Sequence, residues 1–283
     1  MAVQELSESI DELFAQGDKA DSMAARGAFV RLRDQLNVGH VRAAEPDPSQ
    51  PTGWRVNAWV KRGILLGFRF GRLVDHSIDH GRWAFFDKDT MPLKTLGLER
   101  HVRLVPGGSA IREGAFVGKG VICMPPMYVN IGAYIGECTL IDSHVLIGSC
   151  AQVGSKCHVS AGAQIGGVIE PVGAMPVVIE DEVLIGGNTG IYEGAVIKQR
   201  AVIAAGVVIT GSTPIYDLPR GEIIRAAEGQ PLVVPEGAVV VPGSRAVTMG
   251  KGPQWGLSLA TPVIVKYRDD RTDTRVGLEA WIR

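Results

Sequence analysis

Residues 128–154 read YVNIGAYIGECTLIDSHVLIGSCAQVG, and an aliphatic β-branched residue returns at every sixth position: Val129, Ile135, Ile141, Ile147 and Val153. The beat reaches back through Cys123 and Val117 to Ile111 and forward to Val159 and Ile165. After eight further residues, PVGAMPVV (171–178), it resumes at Ile179 and runs through Ile185, Ile191, Ile197, Ile203 and Ile209. Fifteen of these sixteen positions are Ile or Val. A hexapeptide period sustained this long is the sequence mark of a parallel β-helix. Each hexad supplies a short strand and a corner, and three hexads close a triangular coil of about 18 residues. The β-branched residue points to the axis and stacks on its equivalent in the next coil. Small residues beside the inward one let the backbone turn, as Asn130, Gly136, Gly148 and Gly154 do, but Ile141 is followed by a carboxylate, Asp142.

The repeat occupies the middle of a 283-residue chain. Residues 1–100 read as an N-terminal α/β domain. SESIDELFAQ (7–16) and SMAARGAFVRLRDQLN (22–37) carry apolar residues at helical spacing, with Ser7 and Ser22 as expected N-caps. GWRVNAWVKRGILLGFRFGRL (53–73) fits either one helix or a strand followed by a helix. The β-helix is expected over 101–245, interrupted at 171–178 and again at about 216–233, with VPEGAV and VVPGSR as its last hexads. A C-terminal β segment, 246–283, contains LATPVIVKYRDDRT and a closing WIR. It is expected to cap strand edges left bare at the end of the solenoid.

The chain balances 29 basic against 30 acidic residues, which removes any bulk attraction for nucleic acid or an anionic membrane. Its N-terminus, MAVQELSESIDELFAQG, is polar and acidic where a signal peptide needs a basic start and an apolar run. No apolar stretch approaches the roughly 18 residues of a membrane span. Cys123, Cys138, Cys150 and Cys157 form no CxxC pair and lie inside the repeat, as structural thiols of a cytoplasmic protein do. The 36 glycines are nearly twice the usual share of about 7%.

The hexads resemble those of the left-handed parallel β-helix acyltransferases. More narrowly, MYVNIGAYIGECTLID, IGSCAQVG, QIGGVIEP, VVIEDEVLIGGNTGIYEG and GSTPIYD resemble the tetrahydrodipicolinate N-succinyltransferase family, which also contains the acyltransferase of tabtoxin biosynthesis. The resemblance covers about Val102 to Asp217. It implies a homotrimer with active sites between neighbouring β-helices. It also implies an N-acyl transfer from succinyl-CoA to the amine of an open-chain amino-oxo-dicarboxylic acid, in lysine and diaminopimelate biosynthesis. By family position, Arg103 of VRLVP and Asp142 of LIDSH bind substrate, and Ala205, Gly206, Gly211 and Ser212 meet the pantetheine arm.

Amide formation from an amine and a thioester requires deprotonation of the amine, donors for the tetrahedral oxyanion and close positioning. Asp142, at a coil corner, suits the first of these; otherwise it caps exposed backbone amides. Three hexads per coil stack Asp142 with Met124, Ser160, Gly186 and Ala204. The Gly186, Gly187 and Asn188 corner then lies about 10 Å away, within reach of an extended pantetheine arm. Arg103 and Arg112 are candidates for the substrate's two carboxylates, because a guanidinium fork matches a carboxylate. Glu193 in GIYEG is a second catalytic candidate, in a different column from Asp142, so that the two would meet only across a subunit interface.

Some relatives carry a GARSE-like segment where this chain has GGNTG. Their glutamate falls on Gly190, and their arginine and serine on Asn188 and Thr189. That departure leaves acetyl-CoA open as donor. His144 is a candidate groove residue. His144 and His158 stand fourteen positions apart, unlike the close pair of a β-helix zinc site, so no metal is expected. Arg225, Lys251 and Lys266 are candidates for the CoA phosphates. A non-catalytic β-helix scaffold, the alternative from another class, would repeat its outward face, whereas these turn residues vary.

Overall fold

The computed structural model describes residues 3–79 and 83–269. Three helices open the chain: α1 (Val3–Ala15), α2 (Ser22–Asn37) and α3 (Ala58–Phe70). α1 buries Leu6, Ile10 and Leu13, and α2 buries Ala25, Ala28, Phe29, Leu32 and Leu36, the stripe expected of an amphipathic helix against a core. Neither serine is an N-cap. α1 begins four residues before Ser7, and α2 is capped by Asp21, whose Oδ1 accepts the Ala24 N–H at 2.7 Å. Aspartate serves the cap as well as serine, and Ser22 becomes the first helical residue. Residues 53–73 resolve into a strand, Trp54–Val56, followed by α3. α3 approaches α2 closely because Gly63 and Gly67 face it. A Cβ on Gly63 would lie 2.3 Å from Leu32, and one on Gly67 2.4 Å from Phe29.

From Arg103 onward the chain winds into three parallel walls. The first contains Leu140–Ile141, the second Leu146–Ile147 and the third Gln152–Val153, and each wall repeats with the coil. Partners in adjacent coils are 18 residues apart, as Tyr134 and Gln152 are; the separation becomes 26 between Gln152 and Val178 and 37 between Val196 and Val233. The insertion therefore adds eight residues between partners and the second excursion nineteen. The axis itself continues. Ile135, Ile141, Ile147, Val153, Val159 and Ile165 are fully buried in a core that runs the length of the solenoid.

The turns differ from expectation in one respect. The residue three positions after most of the inward aliphatics, among them Gly114, Gly120, Gly132, Asn188, Gly194, Arg200 and Gly206, has φ between +54° and +84°. This left-handed residue makes the corner. The small residue directly after the inward one answers a different demand, since a Cβ on Gly136, Gly148 or Gly186 would come within 2.2–2.6 Å of backbone in the next coil.

The N-terminal region lies on the third wall. Trp54 and Ala44 pack on Val178 and Val196, and the Arg42 guanidinium lies 3.7 Å from the Tyr134 ring centroid while Nε donates to Gln152 Oε1 at 2.9 Å. Lys198 Nζ reaches Glu180 Oε1 (2.7 Å) and the Thr52 carbonyl (2.6 Å), and Trp54 Nε1 donates to the same Glu180 oxygen (2.8 Å). Lys61 of α3 is fully buried, its Nζ donating to the Ala174 carbonyl of the insertion at 2.6 Å; burial pulls its pKa down. At the other end, strands Ala238–Ala246 and Ser258–Tyr267 form a long antiparallel hairpin that extends the first wall through Val202 and Val239. The closing WIR lies outside the described residues.

Candidate active site

Strand pairing places Arg103, Ile122, Leu140, His158, Leu184 and Val202 in one outward-facing row of the first wall. Asp142 follows the inward Ile141 of that wall, at the edge where the first wall turns into the second. Arg103, exposed, stands two strands from Leu140, on the order of 10 Å. The proposed base and the proposed carboxylate anchor thus share one wall. The same register stacks Asp142 with Met124, Ser160, Gly186 and Ala204. Asp142 is half-buried, and its Oδ1 accepts the Ser143 N–H at 2.7 Å. The contact fixes the carboxylate at the corner while the second oxygen remains available to a ligand.

Along this edge the glycines separate by cause. Gly186 is demanded by packing, since a Cβ there would lie 2.3 Å from Ala205 N, and Gly206 by its φ of +77°. Gly187 has no positive φ, and its Cβ would meet only the Ala161 carbonyl, at 3.2 Å. It is the glycine of this edge that the fold requires least, which favours a ligand reason. Ala205 and Gly206 are exposed beside it. Asn188 (φ +54°) and His144 (φ +61°) occupy the left-handed corner position, which Asn tolerates better than most residues. Thr189 is buried, and its hydroxyl donates to the Ala204 carbonyl at 3.2 Å.

Glu193 occupies the next edge, between the second and third walls, as its distinct column required. Its Oε2 accepts the Gly211 N–H at 2.8 Å, so Gly211 and Ser212 belong to the Glu193 edge. The sequence grouped them with Ala205 and Gly206, which lie on the Asp142 edge. The remaining basic candidates scatter. Arg112 donates to Asp87 Oδ2 at 2.5 Å and lies over the Phe68 ring; it ties the N-terminal region to the β-helix and is already neutralised. Lys266 is held by both oxygens of Asp269 at 3.1 Å. Lys251, at the tip of the C-terminal hairpin, and Arg225, after the strand Glu222–Ile224, are both exposed.

A cavity of roughly 970 Å³ opens at the Glu193 edge. Leu146, Gly166, Tyr192, Glu193, Trp54 and Met175 are among the residues that line it. The insertion closes tightly here: a Cβ on Gly194 would lie 2.2 Å from the Met175 carbonyl. Asp142 does not line this cavity. In one chain, Asp142 stands on an open edge and Glu193 in a cleft.

Among the described residues, no group of three or more His, Cys, Asp or Glu is placed to hold a metal ion. The four cysteines are unbridged thiols; burial pushes Cys123, Cys150 and Cys157 up to about 12, while Cys138 is exposed. No helix of the described residues is long and apolar enough to cross a membrane.

Comparison with known proteins agrees with this architecture. Residues 5–70 match the family model described as tetrahydrodipicolinate N-succinyltransferase N-terminal, and residues 176–211 match the hexapeptide repeat of succinyl-transferase. The chain is 36% identical to the 2,3,4,5-tetrahydropyridine-2,6-dicarboxylate N-succinyltransferase of Idiomarina loihiensis, over 99% of each chain. The chain belongs to the tetrahydrodipicolinate N-succinyltransferase family. Proteins of the same name from Nitrobacter hamburgensis (39% identity, 91% of this chain and 90% of the relative) and Xylella fastidiosa strain 9a5c (40%, 89% and 87%) are similarly close. Family membership accounts for both the helical N-terminal region and the hexads.

Tyr192 and the cleft around it were not singled out from the sequence. A signal existed: Tyr192 directly follows the inward Ile191, as Asp142 follows Ile141. Scanning that position in every hexad for residues that are not small would have selected it. The cleft's other residues carried no such signal, because Trp54 and Met175 are distant in sequence and join only in the fold.

Proposed function

We propose that the protein transfers a succinyl group from succinyl-CoA to the amino group of tetrahydrodipicolinate in its open-chain form, 2-amino-6-oxopimelate. The observation that carries this reading is the end-to-end likeness to N-succinyltransferases of that name. The reaction forms an amide and releases the CoA thiol, with no redox change. Asp142 accepts or orients the protons of the attacking amine, as a carboxylate anchored through one oxygen can. Arg103, on the same wall, pairs with a substrate carboxylate. Gly187, Ala205 and Gly206 let the pantetheine arm lie against the edge, and backbone N–H groups there meet the developing oxyanion.

The working unit is a homotrimer in the cytoplasm, where acyl-CoA is made. The N-terminal region covers the third wall, whereas Leu140, Leu184 and Val202 on the first and Val208 on the second remain partly or fully exposed and await a neighbouring β-helix. Such packing brings the Asp142 edge of one copy against the second wall of another, excluding water from the reacting centre.

Acetyl-CoA is the second reading for the donor. Asn188 offers no cation to a succinyl carboxylate, and the Thr189 hydroxyl is already engaged inside the coil. Release of CoA thiol, followed with succinyl-CoA and acetyl-CoA against tetrahydrodipicolinate and 2-aminopimelate, tests both. Turnover led by succinyl-CoA is expected. An acetyl preference replaces the donor alone, and no turnover with any pair overturns the function.

A further inference from the structure

The second wall carries a side chain that the proposed chemistry has not used. Tyr192 follows the inward Ile191, and its ring bends back along the wall instead of standing away from it. A Cβ on Gly190 would lie 2.5 Å from Tyr192 Cε2 and 3.0 Å from its Cζ and Oη. A Cβ on Gly166, the neighbour of Tyr192 in the preceding coil, would lie 2.9 Å from its Cδ1. Two missing side chains in adjacent coils therefore form the recess in which the ring rests. Neither glycine has a positive φ, so the corner does not dictate them. In other coils the positions equivalent to Gly190 hold Leu146, Gln164 and Val208, so a side chain there is compatible with the repeat.

Gly166 and Tyr192 line the 970 Å³ cleft together with Glu193, Trp54 and Met175. Gly173, Ala174 and Met175 of the insertion line the same cleft, and buried Lys61 holds the insertion at the Ala174 carbonyl. A pinned loop and a seated ring thus both shape the cleft. A rigid aromatic ring at such a place measures whatever chain enters.

We propose that Tyr192 is the length gauge of the cleft: its ring limits the short aliphatic, carboxylate-ended chain that the site admits. The inference rests on the acyltransfer reading, in which donor and acceptor both bring such a chain, the succinyl group and the amino-dicarboxylate. The ring and not the hydroxyl does the measuring, so removal of the ring lengthens the preferred chain and removal of the hydroxyl does not.

The test is a chain-length series on the wild-type protein and the variants Tyr192→Ala, Tyr192→Leu and Tyr192→Phe. Acetyl-, succinyl-, glutaryl- and adipyl-CoA are compared against one acceptor, then 2-aminoadipate, 2-aminopimelate and 2-aminosuberate against one donor. Whichever series shifts identifies the chain that the cleft receives. One methylene in an apolar pocket discriminates by about 10- to 200-fold. Tyr192→Ala is therefore expected to raise the ratio of kcat/KM for the longer chain over the shorter at least about 10-fold in one series, with Tyr192→Leu intermediate and Tyr192→Phe keeping the wild-type order. An unchanged order in Tyr192→Ala or, if that variant does not fold, in Tyr192→Leu overturns the gauge. So does a shift in Tyr192→Phe as large as that in Tyr192→Leu. A wild-type protein that turns over no pair fails the functional reading itself, a result seen before any variant is compared.

Discussion

The edge that carries Asp142 and the edge that carries Glu193 are cut from the same six-residue pattern, yet they offer different things to a ligand. The first has no roof from the described residues of its own chain: Asp142 and Gly187 are half-buried and Ala205 is exposed. The second is roofed, because the insertion and the N-terminal region fold over it and leave a cleft at Glu193 and Tyr192. The repeat therefore determines where each corner residue points. Segments that leave the repeat determine what surrounds it.

The largest expected effect tests the bare edge. Asp142→Asn keeps shape and corner contact but removes the carboxylate's basicity; turnover should fall at least about 10²-fold, the scale of general-base loss. An unchanged assembly in sedimentation would assign that loss to chemistry. Near-normal turnover would reduce Asp142 to a residue that caps Ser143.

The same edge should be mechanically intolerant higher up the solenoid. Gly186→Val forces a side chain against Ala205 N, and overpacking of this kind costs about 1–3 kcal/mol. A thermal melt should show the drop, while Gly187→Ala, facing only the Ala161 carbonyl, should melt near wild type and instead weaken acyl-CoA binding. Equal melting losses in both would mean that the fold requires Gly187 as well.

At the roofed edge, Glu193→Gln retains an oxygen for the Gly211 N–H, so a structural role predicts less than about a 10-fold change in kcat. A loss as large as that of Asp142→Asn would make the site a two-carboxylate one, assembled from two copies of the chain.

The smallest effect distinguishes cover from exposure directly. Cys138 and Cys150 hold the same left-handed corner position on different edges, with φ of +58° and +67°. Cys150 is buried against the N-terminal region, and burial pushes its thiol up to about 12, so near pH 8 it stays protonated and shielded. A thiol reagent at that pH should modify Cys138 in the native protein and the other three only after unfolding. Rapid modification of Cys150 would show that the N-terminal region leaves its wall.

The solenoid was legible because its period is short and its inward residue strict: pairing at 18 residues, the eight-residue insertion and the column of Asp142 follow from counting alone. Helix ends were less legible. Asp21 and Ser22 are both good caps, and the choice is settled by which one the first turn reaches. The cleft could not be read, since it depends on where Trp54, Met175 and Tyr192 meet. Nor could the engagement of Arg112 by Asp87 or of Lys266 by Asp269, because a basic residue in a sequence does not announce whether its charge is already matched.

The eight-residue insertion leaves the axis untouched. It departs after Ile165 and rejoins at Val178 with every later strand still in register with its predecessor. A coil of this kind counts turns and ignores the length of chain spent between them. The segment 171–176 is thus a port at which segments of other lengths can be grafted, changing the roof of the cleft while the column of buried isoleucines beneath it stays as it is.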